Sequence, residues 1–423
     1  MFRILWILDK VFSLVILSLI LTTAAPRLSG QTDQVRSYTR AVEFDYPTWV
    51  WSAFWDKVQY STLNTPYTFD RGSQKQIVFA YLRVTEEIFQ TEFQIERIFA
   101  DPEITDKESI SEHLRAQRDQ LLERQKALAP FAESILQSQV SAAFAELGIT
   151  SGGQTIPPLL YHTSPTPLAL IVSPRGRIVQ TTNISILPTL TLDQQIKLED
   201  DVANSLDVST LIVPVGGIGV YPTMVMETTN LPWMITTIAH EWIHNYLNLR
   251  PLGLNYSTTS ELRTMNETVA NLGGDEAGRI VLERYYPEFA SRFEPSRDLI
   301  LFPEPARPSS AAAEDEPFDF RAAMHETRVT ADELLAQGKV EEAEAYMESR
   351  RQFFWDNGYL LRKLNQAYFA FHGAYADVPG GAAGEDPVGP AVRALREKSP
   401  TFKDFITTIA WMTSFEELLE AIK

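Results

Sequence analysis

The stretch ITTIAHEWIHN, residues 235–245, sets two of the chain's six histidines four apart with a glutamate between them. Residues four apart on an α-helix share a face, so His240 and His244 can bring two imidazoles to one point. Glu241 lies about 100° further round the helix, beside that point rather than on it. Ile235, Ile238, Ala239, Trp242 and Ile243 make the surroundings apolar. A low-dielectric wall strengthens the field of a cation and favours neutral imidazoles, the form that ligates. The spacing is that of HExxH: two metal ligands, with a carboxylate placed to take a proton from water.

A catalytic zinc ion takes three protein ligands and keeps one position open. Leu247 and Arg250 stand at the third and sixth positions after His244, which rules out the extended version with a third histidine. A carboxylate on a second helix is the other solution. The helical stretch SELRTMNETVANLGGDEAG, residues 260–278, offers Glu261, Glu267, Asp275 and Glu276. Glu267, within NETVA, stands 23 residues after His244. Glu261 lies at the start of this helix. Asp275 and Glu276 follow Gly273 and Gly274, and Asp275 is also a candidate to support a ligand from behind. Small residues at 270, 273, 274 and 278 predict close packing against the motif helix.

With both motifs in order, the chain resembles the gluzincin metallopeptidases, the thermolysin-like and aminopeptidase-like enzymes. These carry HExxH on one helix and a glutamate ligand on the next, in an Asn-Glu-x-x-Ala or Asn-Glu-x-x-Ser-Asp context. His240, Glu241 and His244 match the first motif; Asn266, Glu267 and Ala270 match the second. The likeness covers about residues 233–275. It implies Zn2+ held by His240, His244 and Glu267, with Glu241 as the general base of peptide-bond hydrolysis. It also implies an α+β, zincin-like two-lobed fold, in which a peptide substrate pairs with an exposed edge strand. That strand is expected at residues 219–225, where Pro222 cannot donate to a ladder from inside a sheet. Thermolysin-like members place an aspartate four residues after the glutamate to orient a ligand histidine; here Asn271 stands there.

Hydrolysis also needs a donor for the oxyanion of the tetrahedral intermediate. Residues 364–390, LNQAYFAFHGAYADVPGGAAGEDPVGP, put Asn365, Tyr368, His372 and Tyr375 on one helical stripe. Tyr368 and His372 are the candidates for this catalytic role, against the reading of a polar stripe in solvent. The Gly/Pro-rich segment 379–390 is a candidate lid. Of the other histidines, His113 reads as surface, His325 as helical and His162 as a loop residue.

A net charge of -18 argues against nucleic acid, whose phosphates need clustered Lys and Arg. The absence of cysteine excludes disulfides, Cys-ligated zinc and a Cys nucleophile. At the N-terminus, MFRILWILDKVFSLVILSLILTTAAP has Arg3 and Lys10 early, an apolar run over 11–21 and small residues over 22–25. This reads as an export signal or, in preference, a retained membrane anchor. Either places the remainder outside the cytoplasm. The expected partners are a peptide or protein substrate and, through this segment, a membrane.

Residues 27–40 read as a polar tether. In DYPTWVWSAFWDKVQY, residues 45–60, Trp51, Phe54, Trp55 and Val58 share a helical face. This predicts a helix docking into the core, or an aromatic belt at a membrane interface. Helical spacing continues over 77–99, and two helices are expected at 108–128 and 131–147. Strands follow over 168–187 and 210–215, with a capped helix at 191–206 between them. After residue 262 only helices and loops are expected, with a hinge at Gly338. The expected division is 1–25 export segment, 26–150 helical N-terminal region, 151–301 zincin core, 302–319 Pro/Ala/acidic linker and 320–423 helical C-terminal lobe. The alternative to a peptidase is a non-catalytic metal-binding cell-surface protein that keeps the peptidase fold.

Overall fold

The computed structural model describes residues 30–61, 68–100, 106–291, 318–359, 361–372 and 387–423. The export segment 1–25, most of the linker, most of the lid segment and Tyr375 lie outside them. The chain is mixed α+β: mainly helical, with two small sheets.

Helices α1 (Gln31–Thr39), α2 (Tyr46–Ser61), α3 (Arg71–Ala100) and α4 (Lys107–Glu146) come first. Three sequence expectations change here. The described part of the 27–40 stretch is not a polar tether: α1 buries Val35 and Thr39. Helix α2 forms as expected but does not dock through its aromatic face. It buries Ala53 and Lys57 instead, and Trp51, Phe54, Trp55 and Val58 are exposed. The two helices expected at 108–128 and 131–147 are one, running through Pro130. An interior proline costs about 3 kcal/mol. Beyond it, Ile135, Leu136 and Val140 are fully buried. At about 1.5–3 kcal/mol each, their burial outweighs the break.

Next come β1 (Tyr161–Thr163), β2 (Leu168–Pro174) and β3 (Thr182–Ile186), then α5 (Leu192–Leu206), β4 (Val208–Pro214), β5 (Gly217–Ile218) and β6 (Thr223–Val225). Helix α5 opens with the capping box that its sequence announces, Thr191 and Gln194 each satisfying the other's backbone N–H. The larger sheet has the order β3-β2-β4, antiparallel throughout, with Leu170 opposite Ile184 and Ile212. Alternate strand residues point to opposite faces. Leu170, Val172 and Ile212 pack with Val35 of α1 and Val202 of α5. Ala169, Ile171, Leu211 and Val213 face the other way.

The smaller sheet has the order β1-β6-β5, with β1 parallel and β5 antiparallel to β6. Residues 219–225 are therefore not the edge. Strand β6 is flanked on both sides, and β5 forms the border. Pro222 escapes the ladder by preceding it, since the first donor is Thr223 N–H, to the Leu160 carbonyl at 2.8 Å.

Helix α6 (Leu231–Leu247) carries the HExxH motif. It starts at Asn230, whose side chain caps the Trp233 N–H, with Pro232 in the first turn. A single helical turn at Pro251–Leu254 reverses the chain into α7 (Ser260–Tyr285), capped by Thr259. Then follow α8 (Phe320–Ala336), α9 (Val340–Asp356), α10 (Gln366–His372), α11 (Val388–Lys398), α12 (Phe402–Ile409) and α13 (Phe415–Ala421). Gly338, between α8 and α9, has φ +74, which explains the hinge there. Helix α10 covers the second face of the larger sheet with Ala367 and Phe371. The main core draws on α3, α4, α6, α7, α11, α12 and α13, with Trp242 packed on Phe144 at 4.4 Å between ring centroids. No helix among the described residues is long and apolar enough to cross a membrane.

Candidate metal centre

Helices α6 and α7 lie close together because glycines allow it. A Cβ on Gly274 would stand 3.0 Å from the Thr236 carbonyl oxygen and 3.3 Å from His240 Cβ. One on Gly273 would stand 2.9 Å from Ile243 Cγ1. The close packing expected from these small residues is realised at both positions. It brings Glu267 of α7 against the two histidines of α6.

The three side chains converge. His240 Nε2 and His244 Nε2 are 3.0 Å apart, and Glu267 Oε2 is 3.5 Å from each. Zinc bonds of about 2.0–2.2 Å in a tetrahedron would hold neighbouring ligand atoms about 3.3–3.6 Å apart. The observed triangle lies within a few tenths of an ångström of that. Glu267 Oε2 is buried without a hydrogen-bond partner. An unsatisfied buried carboxylate oxygen facing two imidazole nitrogens is what a cation between them would satisfy. Two imidazoles and one carboxylate suit zinc. Among the described residues, His240, His244 and Glu267 are the group whose ligand atoms meet in this way.

Two residues hold these side chains from behind. The His244 Nδ1–H donates to Asn266 Oδ1 at 2.7 Å, leaving Nε2 to face the centre. The Tyr256 hydroxyl donates to Glu267 Oε1 at 2.5 Å, so only Oε2 points at the histidines. Sequence reasoning assigned neither role. Asn266 matched the second motif but carried no function there, and the orienting task was considered for Asn271, which is buried further along α7. Tyr256 lies in the loop before α7, where no motif spacing marks it.

Strand β5 runs against the other side of α6. A Cβ on Gly217 would stand 2.7 Å from Glu241 Oε1, and one on Gly219 would stand 2.8 Å from His244 Cβ. The Asn245 side chain pins this segment by donating to the Val220 carbonyl at 3.1 Å and to Thr223 Oγ1 at 3.0 Å. The border strand of the smaller sheet and the residue just after it thus lie directly on Glu241 and His244.

Burial raises the proton affinity of Glu241, and the imidazoles of His240 and His244 pull it back only in part. Burial also opposes the charge of Glu267, but the two imidazoles outweigh it and hold this carboxyl well below the usual range. In His244 burial opposes protonation, yet the Glu267 carboxylate raises it to about 9. Tyr46, at the start of α2, donates to Ser185 Oγ at 2.8 Å. Burial raises its proton affinity, Ser185 eases it, and the charge of Glu241 adds to it.

The remaining ligand and oxyanion candidates lie on α7 and α10. Glu261 is in the first turn of α7. Glu276 accepts from the Arg396 guanidinium at 2.7 and 3.0 Å, tying α7 to α11. Asp275 is buried beside Gly274. Tyr368 and His372 pack against each other on α10, with ring centroids 4.2 Å apart. Burial raises the Tyr368 phenol and lowers His372 to about 4. His162 is not in a loop but in β1, its Nδ1 3.1 Å from Glu133 Oε1. His113 is exposed and His325 is helical, as read from the sequence.

No protein-family model, no curated protein and no solved structure matches the chain. The reading of function therefore rests on the site's own chemistry.

Proposed function

We propose that this chain is a zinc-dependent peptidase of gluzincin type, with a zincin-like two-lobed fold, acting on peptide or protein substrates outside the cytoplasm and tethered by its N-terminal segment. The convergence of His240 Nε2, His244 Nε2 and the unsatisfied Glu267 Oε2 carries this reading. Zinc held by these three residues supplies a Lewis acid that acidifies water and polarises a carbonyl. Glu241, on the same helix and with raised proton affinity, takes the proton from the attacking water and passes it to the leaving amine. Asn266 keeps the His244 ring in its ligating tautomer, and Tyr256 keeps one Glu267 oxygen aimed at the centre.

Metal analysis of the purified protein beside Glu267→Ala and His244→Ala variants tests the ligand set. Zinc is expected at one equivalent in the parent and lost in both variants; full occupancy in either removes that residue from the centre. Glu241→Gln is expected to keep zinc and lose peptide hydrolysis.

A second reading, a non-catalytic metal-binding cell-surface protein, draws support from burial: His240, Glu241 and Glu267 are at most 4% exposed. A fluorogenic-peptide screen with and without chelator separates the two. Chelator-sensitive cleavage that Glu241→Gln abolishes supports the peptidase, and no cleavage with bound zinc supports the alternative.

A further inference from the structure

Helix α2 docks by one face only. Its Lys57 reaches the buried Glu133 of α4, Ala53 is buried, and Trp49 Nε1–H donates to Ser164 Oγ at 3.1 Å. The opposite face presents Trp51, Trp55 and Phe54, which are 70%, 53% and 44% exposed. Three large aromatics held outward together on one helix face form a contiguous apolar patch of the kind that marks a protein or membrane contact.

We propose that this face rests in the interfacial layer of a lipid bilayer, with Trp51, Phe54 and Trp55 at headgroup level. Tryptophan favours that layer because its ring is apolar and its N–H is polar. Two further observations select lipid as the occupant. Residues 11–21 form the chain's apolar run, and only residues 26–45 separate the export segment from α2. Nine of those twenty residues are the helix α1. The connection therefore spans at most about 50 Å, so a bilayer entered by the apolar run lies within reach of α2. The helix also carries no charge besides Asp56 and Lys57, and Lys57 is buried against Glu133. The contact is thus aromatic rather than electrostatic, and zwitterionic lipid suffices. The proposal rests on the reading of a retained membrane anchor and adds that the folded part lies down on the membrane beside it.

The absence of cysteine makes the test clean, because a single introduced thiol takes all the label. Phe54→Cys, Trp55→Cys and, as a reference on exposed α13, Glu420→Cys are made in the full chain. Each carries a nitroxide and is reconstituted with phosphatidylcholine vesicles. Flotation reports anchoring; relaxation by oxygen against a water-soluble nickel chelate reports the depth of each label. Labels at 54 and 55 are expected to meet oxygen more than the nickel chelate, and the label at 420 the reverse. Labels at 54 and 55 that meet the chelate as freely as the one at 420, in a chain that floats, overturn the proposal while anchoring stands. Labels shielded from both reagents overturn it too, because a protein surface then covers the face. A chain that does not float overturns both readings.

Discussion

Two glycine substitutions, one on β5 and one just beyond it, separate the proposed base from the proposed ligands. A methyl on Gly217 would meet Glu241 Oε1 at 2.7 Å, whereas ordinary contact begins at 3.4 Å. Glu241 Cγ and Cδ would also be met, at 2.8 and 3.0 Å, so with α6 fixed in the core relief swings the whole carboxyl arm aside by about 0.6–0.7 Å. Misplacing a catalytic group by about 1 Å costs on the order of 100-fold, so Gly217→Ala is expected to lower kcat by about 10- to 100-fold while zinc remains bound. A methyl on Gly219 meets His244 Cβ at 2.8 Å instead. That atom belongs to the base of a metal ligand and yields only if strand and helix separate. Gly219→Ala is therefore expected to weaken zinc binding itself. The assay pairs steady-state hydrolysis of a fluorogenic peptide with zinc stoichiometry after dialysis. Gly176→Ala, where an added Cβ meets nothing within 4 Å, is the neutral control. Unchanged turnover in Gly217→Ala, or loss of zinc from it, would refute the argument that β5 presses on the base.

Tyr256→Phe removes the 2.5 Å hydrogen bond to Glu267 and is expected to lower zinc affinity about 10- to 100-fold; a chelating-dye competition that finds equal affinity excludes the positioning role. Zinc at 100 times its dissociation constant should add about 2.7 kcal/mol to stability, seen as a rise in thermal midpoint that His240→Ala abolishes. Lys57→Met leaves Glu133 charged and buried, and is expected to cost about 3–5 kcal/mol in urea unfolding; a loss below 1 kcal/mol would show that water or His162 already neutralises the site. Burial opposes the Glu133 charge, but Lys57 and His162 hold its carboxyl at about 2, below its ordinary 4.5. Its contribution, roughly 3 kcal/mol, is thus complete above pH 4.5 and lost as pH falls toward 2. The Glu133→Gln variant should show a shallower acid limb, and an unchanged one refutes the assignment.

The pairing of His240 with His244 was legible because it is local, whereas Glu267 was singled out from three other carboxylates only by the motif resemblance. Helical period places His240 and His244 together whatever surrounds them, and the glycines at 273 and 274 announce a close helix pair without saying which carboxylate it brings in. The capping box of α5 and the hinge at Gly338 were legible for the same reason. Elsewhere local pattern misled. Pro130 reads as a break only until the burial beyond it is counted. The aromatic stripe of α2 reads as core by period alone, since period says that residues share a face and not what that face meets.

What the sequence by itself determined is two imidazoles on one helical face with a carboxylate beside them, and a short set of carboxylates on the next helix. The tertiary structure alone decided what holds and confines that chemistry. Tyr256 reaches Glu267 and Gly217 presses on Glu241 through contacts between separate elements. Strand β6 became interior and β5 the border because of how β1 pairs across some sixty residues of chain. Such contacts depend on packing between distant segments, and no repeat period in the chain encodes them.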